Sequence, residues 1–299
     1  MTTNARLNIS DLDFDQIKTN LKAYLKQQSQ FQDYDFEGAG LNVLLDILSY
    51  NTHYNSYYLN MVANESFLDT ALLRDSVVSH AKTLGYVPFS TTAPRAQINV
   101  TIDSGTTTPA TITIPKGYIF MSNQIDNIPY NFVTLEDTTT SKTANNFIFE
   151  DLTIYEGQYV TYTYVHSESS NPKQIYDIRD TNIDTTTLKV LVYPSSSNTD
   201  YSTYSVATDA LTLTSNSEVY FLQEGLNGYY QIYFGDGVVG KKLVDGSVVA
   251  LEYLSTSGPL ANGANNFIAT STLSGYTNIV VDSVSKASGG TLRETINQI

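Results

Sequence analysis

The chain has 299 residues, no cysteine and no tryptophan, and its 30 acidic against 16 basic residues give a formal net charge of −14. The basic residues are scattered singly, which argues against nucleic acid or an anionic membrane surface as partner, and the lack of cysteine removes disulfide staples, thiolate metal sites and a cysteine nucleophile. The length allows two or three domains with substantial cores, and with neither a basic, apolar leader nor an apolar run near the roughly 20 residues of a bilayer span, the expectation is a soluble, non-secreted chain without membrane insertion.

Up to about Pro88 the apolar spacing is helical. Phe14, Ile17, Leu21, Tyr24 and Leu25 form one stripe, with Asp13 and Gln16 placed as a capping pair, which predicts a first helix to about Gln28. Leu41, Leu44, Leu45 and Leu48 share a second face, carried onward by Tyr54, Tyr57, Tyr58, Met61 and Val62. A third apolar stretch from Phe67 to Ala81 stops at Gly85, with Pro88 beyond it. Residues 1–90 are therefore expected to form a helical, bundle-forming region. Leu41, Leu44, Leu45, Leu48, Tyr54, Tyr58, Met61 and Val62 make a candidate partner-helix interface. The same stripe equally suits an intramolecular core, since helices obey the same packing rules within and between chains.

From Ala93 the period changes to two. Ile98, Val100 and Ile102, then Ile112 and Ile114, then Val160, Tyr162 and Tyr164 alternate along strands separated by Thr, Ser, Asn and Gly loops, and no long helix is expected before Ser283. The loop His166–Lys173 reads as the end of a first β domain at 91–172. A second at 173–286 contains Leu188, Val190 and Val192, then Val219 and Phe221, then Tyr230, Ile232 and Phe234 across an Asn227-Gly228 turn. Gly289-Gly290 followed by Leu292, Arg293, Glu294 and Ile296 reads as a turn opening a short helix, so 287–299 is expected to begin a C-terminal region that continues in a longer natural chain. The predicted class is α+β multidomain, an N-terminal helical unit followed by two mainly antiparallel β domains.

Catalytic patterns are missing. Asp11, Asp13 and Asp15 open like a calcium loop, but Gln16 stands where glycine is needed and Lys22 where the bidentate glutamate belongs, so helix capping is the better account. His53, His80 and His166 have no second ligand at metal spacing. No Gly-x-Ser-x-Gly, Ser-x-x-Lys or His-Glu-x-x-His occurs. Glu150 and Asp151 are adjacent and would face opposite sides of a strand, unlike the two carboxyls of a glycoside hydrolase. The expectation is a non-enzyme with no cofactor, no metal and no catalytic residue. The tyrosine-rich strand Tyr159–Tyr164 could stack sugars on one exposed face through Tyr162 and Tyr164, which keeps a receptor- or glycan-binding tail fibre module as the alternative reading; sheet packing is the other use of such residues.

The segment from Phe234 to Gly263, FGDGVVGKKLVDGSVVALEYLSTSGPLANG, is a string of tight β connections turning at Gly235, Asp236, Gly237, Gly240, Gly246, Gly258 and Gly263. As a phosphate cradle it lacks the Gly-Lys-Ser/Thr and the following helix. Its F-G-D-G-x-x-G-K, followed by Tyr253, Gly258 and Ala261-Asn262-Gly263, resembles the signature of baseplate J-like proteins. Asp35 to Pro88, with Ala39-Gly40, Leu44-Leu45, Tyr50-Asn51, Asn55, Asn60, Glu65 to Ala71 and Leu84-Gly85-Tyr86, resembles the N-terminal region of the large baseplate wedge protein of contractile-tailed myophages. Ile112–Phe120 is similar to an early β element of J-like proteins.

The resemblance implies a structural subunit of the tail baseplate wedge in the virion. Two copies per wedge would join other wedge proteins through the N-terminal helices, with inner baseplate and sheath-initiating proteins as further neighbours. It also implies scaffolding of wedges around the hub and relay of the trigger for sheath contraction. Family members continue past the Gly-Gly segment into domains that link neighbouring wedges.

Overall fold

The computed structural model describes residues 13–30, 40–105 and 109–299; Asp11 and Ala39 of the sequence patterns lie outside them. Contacts divide the chain into a helical unit ending at Tyr86 and a β unit, Val87–Gln298.

The helices are α1 (Phe14–Lys26), α2 (Gly40–Glu65) and α3 (Arg74–Thr83). Asp13 caps α1, its carboxylate accepting from Asp15 N at 2.9 Å and Gln16 N at 3.1 Å. The reciprocal half of the expected pair does not form, because the Gln16 side chain donates to Asn20 instead, at 3.0 Å. α1 lies along α2, and Lys18 pairs with Asp46. α3 starts later than its apolar period suggested, because Phe67–Thr70 closes a turn in which Thr70 N donates to Phe67 O at 3.2 Å. Leu73, the residue before α3, offers no side-chain cap, and the Glu65 carboxylate takes that role by accepting from Leu72 N at 2.9 Å and Leu73 N at 3.3 Å. Burial pushes the Glu65 carboxyl up, but these N–H groups and Ser76 outweigh it and hold it below its ordinary value.

The β unit opens with β1 (Arg95–Asp103), β2 (Thr111–Ile114), β3 (Ile119–Met121), β4 (Asn131–Val133), β5 (Thr138–Thr143), β6 (Asn146–Glu156), β7 (Gln158–Val165) and β8 (Ile175–Ile178). It continues with β9 (Ile183–Tyr193), β10 (Ser202–Val206), β11 (Val219–Glu224), β12 (Tyr230–Phe234), β13 (Val248–Ser255), β14 (Ile268–Ala269) and β15 (Ile279–Ser283). Between Ala93 and Ser283 the only helical turns among the described residues are short 3-10 segments.

Two curled sheets result. The first has the order β14-β3-β4-β6-β1-β15, with β5 on β6 and β2 on β5, and the second runs β7-β13-β9-β10-β11-β12-β8. Every pair is antiparallel except β10 with β11. Alternation sets the faces: in β1 Ala96, Ile98, Val100 and Ile102 point inward and join Phe120, Phe132 and Phe147 in the first core. Val190, Ile232, Val249 and Leu251 centre the second core. β14 and β15, the first sheet's edges, lie beside each other, and Asn266 N donates to Ser283 Oγ at 2.9 Å. In the second sheet the Tyr164 hydroxyl on β7 donates to the Asp177 carbonyl on β8, spanning the gap between the edges.

The expected division at 172 differs from the sheets' own limits. β7 leaves the first sheet's sequence range and pairs along its length with β13, while β14 and β15 return to the first sheet. The reason is Gly157, whose φ of 126 lets the chain turn sharply between β6 and β7. The His166 loop sits inside the second sheet, His166 N donating to Ser247 O at 2.7 Å and Gly246 N to His166 O at 2.9 Å. The C-terminal helix expected after Gly290 does not form. Residues 288–294 instead lie against 89–95, with Arg95 N on Ser288 O at 2.9 Å, Glu294 N on Phe89 O at 3.1 Å and Phe89 N on Glu294 Oε2 at 2.9 Å. Those long-range bonds outcompete a helix of two turns, which is marginal alone.

Candidate functional site

α2 is inverted. Its only charged residues are Asp46 and Glu65. The side turned into the chain's own packing carries Leu45, Ser49, Asn60 and Asn64, with Asn42, Asp46, His53 and Ser56 half-buried in the same row. The outward side carries Leu44 and Leu48, 55% and 54% exposed, Tyr58 at 55% and Val62 at 64%. A lone amphipathic helix does the reverse, turning leucine in and asparagine out.

Of the eight interface residues chosen from spacing, Leu44, Leu48, Tyr54, Tyr58, Met61 and Val62 are exposed together. Leu45 is buried and Leu41 half-buried, so those two belong to the chain's own packing. The structure adds Val43, Ile47, Tyr50, Tyr57 and Leu59 to the outward face, residues that the four-residue leucine spacing passes over. The signal for them was the near absence of charge across 26 residues. Tyr50, Tyr54 and Tyr58 form a ladder, with ring centroids 4.6 Å and 6.1 Å apart along it. A hydrogen bond to Tyr54 pushes the Tyr50 phenol above its ordinary value. On the inner side Ser49 Oγ and His53 Nδ1 are buried with no hydrogen-bond partner among the described residues.

The glycine-rich segment builds a rigid loop. Asp236 accepts from Val238 N at 2.8 Å and Val239 N at 3.0 Å, and these bonds hold its carboxyl below the ordinary range. Gly237 N donates to Gly240 O, Gly240 N to Thr214 O and Lys241 N to Ser217 O, at 3.1, 3.1 and 2.8 Å. These bonds commit the N–H groups of Gly237, Val238, Val239, Gly240 and Lys241 to the protein's own acceptors, and Lys241 and Lys242 are paired with Glu218 and Glu168. Gly235 lies under Gly240 so closely that a Cβ there would be 2.2 Å from the Gly240 carbonyl carbon. Gly246 and Gly263 turn in open loops, and Gly258 sits beneath Thr91 and Thr291.

The other singled-out residues have local partners. His80 Nε2 lies 2.9 Å from Glu65 O, and His166 Nδ1 lies 2.8 Å from the Tyr176 hydroxyl. Tyr162 is exposed, but its ring is tilted 50° against Tyr164, so the pair makes no flat stacking platform.

Comparison with known proteins places the sequence. The family model "Baseplate wedge protein gp6-like, helical domain" matches residues 13–86, "Baseplate wedge protein gp6, domain II" matches 92–157, and "Bacteriophage baseplate wedge protein gp6, third domain" matches 162–268. The chain belongs to the gp6 baseplate wedge family. It is a structural protein of the phage tail baseplate in the virion. Baseplate wedge protein gp6 of Enterobacteria phage T4 is 35% identical over 286 residues, covering 90% of this chain and 42% of that relative. The chain therefore spans less than half the length of the gp6 relative it matches. A chain of the cryo-EM structure of the anti-feeding prophage baseplate, 12% identical, aligns over 97% of this chain and 58% of its own with a TM-score of 0.30. No helix among the described residues is long and apolar enough to cross a membrane.

Proposed function

We propose that this gp6-family chain scaffolds wedge assembly through the outward face of α2, which partner helices of the wedge cover. The carrying observation is the inversion: six of the eight candidate interface residues are exposed in the isolated chain while asparagine and serine are buried. Burying a large aliphatic or aromatic side chain stabilises by about 1.5–3 kcal/mol, so covering the exposed halves of those six contributes roughly 5–9 kcal/mol before association entropy. The partners are a second copy of this chain and other wedge proteins. The β unit then sets spacing around the hub and passes on the trigger for sheath contraction. Mixing the purified chain with the other wedge proteins tests this by size-exclusion chromatography. Leu44→Ser, Leu48→Ser and Tyr58→Ser together are expected to abolish co-elution while leaving the circular dichroism spectrum intact; retained co-elution would sink the proposal.

A further inference from the structure

The two sheets of the β unit are braced against each other at many points. The chain crosses between them at Glu156–Gln158 and at Ser255–Ser257, and these crossings touch: a Cβ on Gly157 would be 2.4 Å from Ser255 O. Glu252 on β13 accepts from Lys116 Nζ, in the β2–β3 loop, at 2.6 Å. The segment leading into β1 is fastened to the second sheet along its length. Val87 packs against the second core, the Tyr230 hydroxyl donates to Pro88 O at 2.8 Å, Thr185 N donates to Ser90 Oγ at 2.9 Å, and Ala93 N donates to Asp184 at 2.8 Å.

The last segment is held differently. Residues 288–294 run antiparallel to 89–95 as the second strand of a ribbon. Ser288 and Arg95 exchange bonds of 3.0 and 2.9 Å, Thr291 and Thr92 bonds of 3.3 and 3.1 Å, and Glu294 N donates to Phe89 O at 3.1 Å. Asn262 exchanges bonds of 2.9 and 3.0 Å with Gly290, and Arg293 donates to Glu224 on β11 at 2.6 Å. No residue from Thr291 to Ile299 is buried, and Leu292 is 72% exposed. Hydrogen bonds and one ion pair hold this strand, with no buried side chain of its own beyond Gly290. Segments of that kind open while the rest of a fold stays intact.

The ribbon's geometry decides how it meets a force. Because its strands are antiparallel, Phe89 and Glu294 sit side by side at its open end, so a tension applied through Val87 and Gln298 acts there. It reaches the bonds in succession: Glu294 to Phe89, then Arg293 to Glu224, then Thr291 to Thr92. The ladders of both sheets lie off that line. We propose that residues 288–294 are a strap that peels under tension on the two ends of the β unit while both sheets stay folded. Peeling lengthens the molecule without unfolding a core, and it does so whichever partner covers α2.

Optical tweezers test this on the full chain, which has no cysteine of its own, with DNA handles at Leu84→Cys and Asn297→Cys, both exposed positions. A reversible early step is expected at low force, before the sheets unfold. Freeing Ser288–Asn297 at about 3.3–3.6 Å per residue adds roughly 3–4 nm of contour in that step. Moving the second handle to Lys286→Cys, just ahead of buried Ala287, takes the strap out of the loaded path and is expected to remove the early step. Arg293→Gln is expected to lower the force of the early step and leave that of the sheets unchanged. Strap and sheets giving way in a single event, an early step that survives with the handle at 286, or an unchanged early force in Arg293→Gln would each overturn the proposal.

Discussion

Replacing Gly235 by alanine tests the geometry of the glycine-rich loop. The new methyl would lie 2.2 Å from Gly240 C, 2.3 Å from Gly240 O and 2.5 Å from Val239 O. All three are backbone atoms, so no rotamer change relieves the overlap and the loop must open. Opening loses the Gly237 N to Gly240 O and Gly240 N to Thr214 O bonds. Overpacking costs about 1–3 kcal/mol and each lost bond about 0.5–1.5, for a central value near ~4 kcal/mol. Gly246→Ala is the control: φ is +83 with nothing within 4 Å of a Cβ, so only left-handed strain of about 1–2 kcal/mol applies. For a unit of this size each kcal/mol moves the melting temperature by about 2–4 °C, which gives falls of about 8–16 °C for Gly235→Ala and about 2–8 °C for Gly246→Ala. Thermal unfolding followed by far-UV circular dichroism reads both. Equal melting temperatures, or a larger fall at Gly246, would refute the close approach as the reason for glycine at 235.

Three further outcomes follow from burial and bonding. Leu48→Ser, at a site 54% exposed, is expected to change the isolated chain's stability by less than about 0.5 kcal/mol, whereas Leu45→Ala, at a site 2% exposed, is expected to cost about 2–5 kcal/mol in urea titrations. Tyr230→Phe removes the hydroxyl that donates to Pro88 O at 2.8 Å and is expected to cost about 1–3 kcal/mol in the same titration, because the carbonyl is left unpaired. Burial pushes the Glu252 carboxyl up, but bonds from Lys116 and Tyr159 prevail and hold it below 4.5. A depressed carboxyl stabilises the fold above its unfolded value, and that share is lost as pH falls through the lower folded value. Glu252→Gln should therefore flatten the acid limb of a stability profile below about pH 4.5, the ordinary carboxyl value; an unchanged limb would rule the contribution out.

The elements were largely legible because each period reports a local constraint. Ile98, Val100 and Ile102 alternate because a pleated strand offers every second residue to the core, and the leucines of α2 share a face because a helix turns every 3.6 residues. Direction was harder to read. Periodicity marks a stripe without saying whether the chain or a neighbour covers it, and in α2 the usual assignment of apolar to inside fails. Asn42, Ser49, Asn60 and Asn64 carried the counter-signal, a polar row of helical spacing that ordinarily marks a solvent face. Sheet membership was not legible at the 172 boundary, since alternation fixes faces but leaves pairing to contacts such as those of β7 with β13, which lie far apart in sequence. The closing helix misled for a related reason: Leu292 and Ile296 have helical spacing, but Phe89, on the far side of the sequence, claims Glu294.

The contact of Gly157 with Ser255 also bears on how such a chain is put together. The second sheet leaves and re-enters the first at one spot, so the first sheet's two portions, β1 to β6 and β14 to β15, would still meet if everything between were replaced by a short connection. In the language of circuits the second sheet is a loop on a closed line, and its length can change without re-routing the line that carries it. Lineages could lengthen, shorten or exchange that module while the fold at its root stays the same.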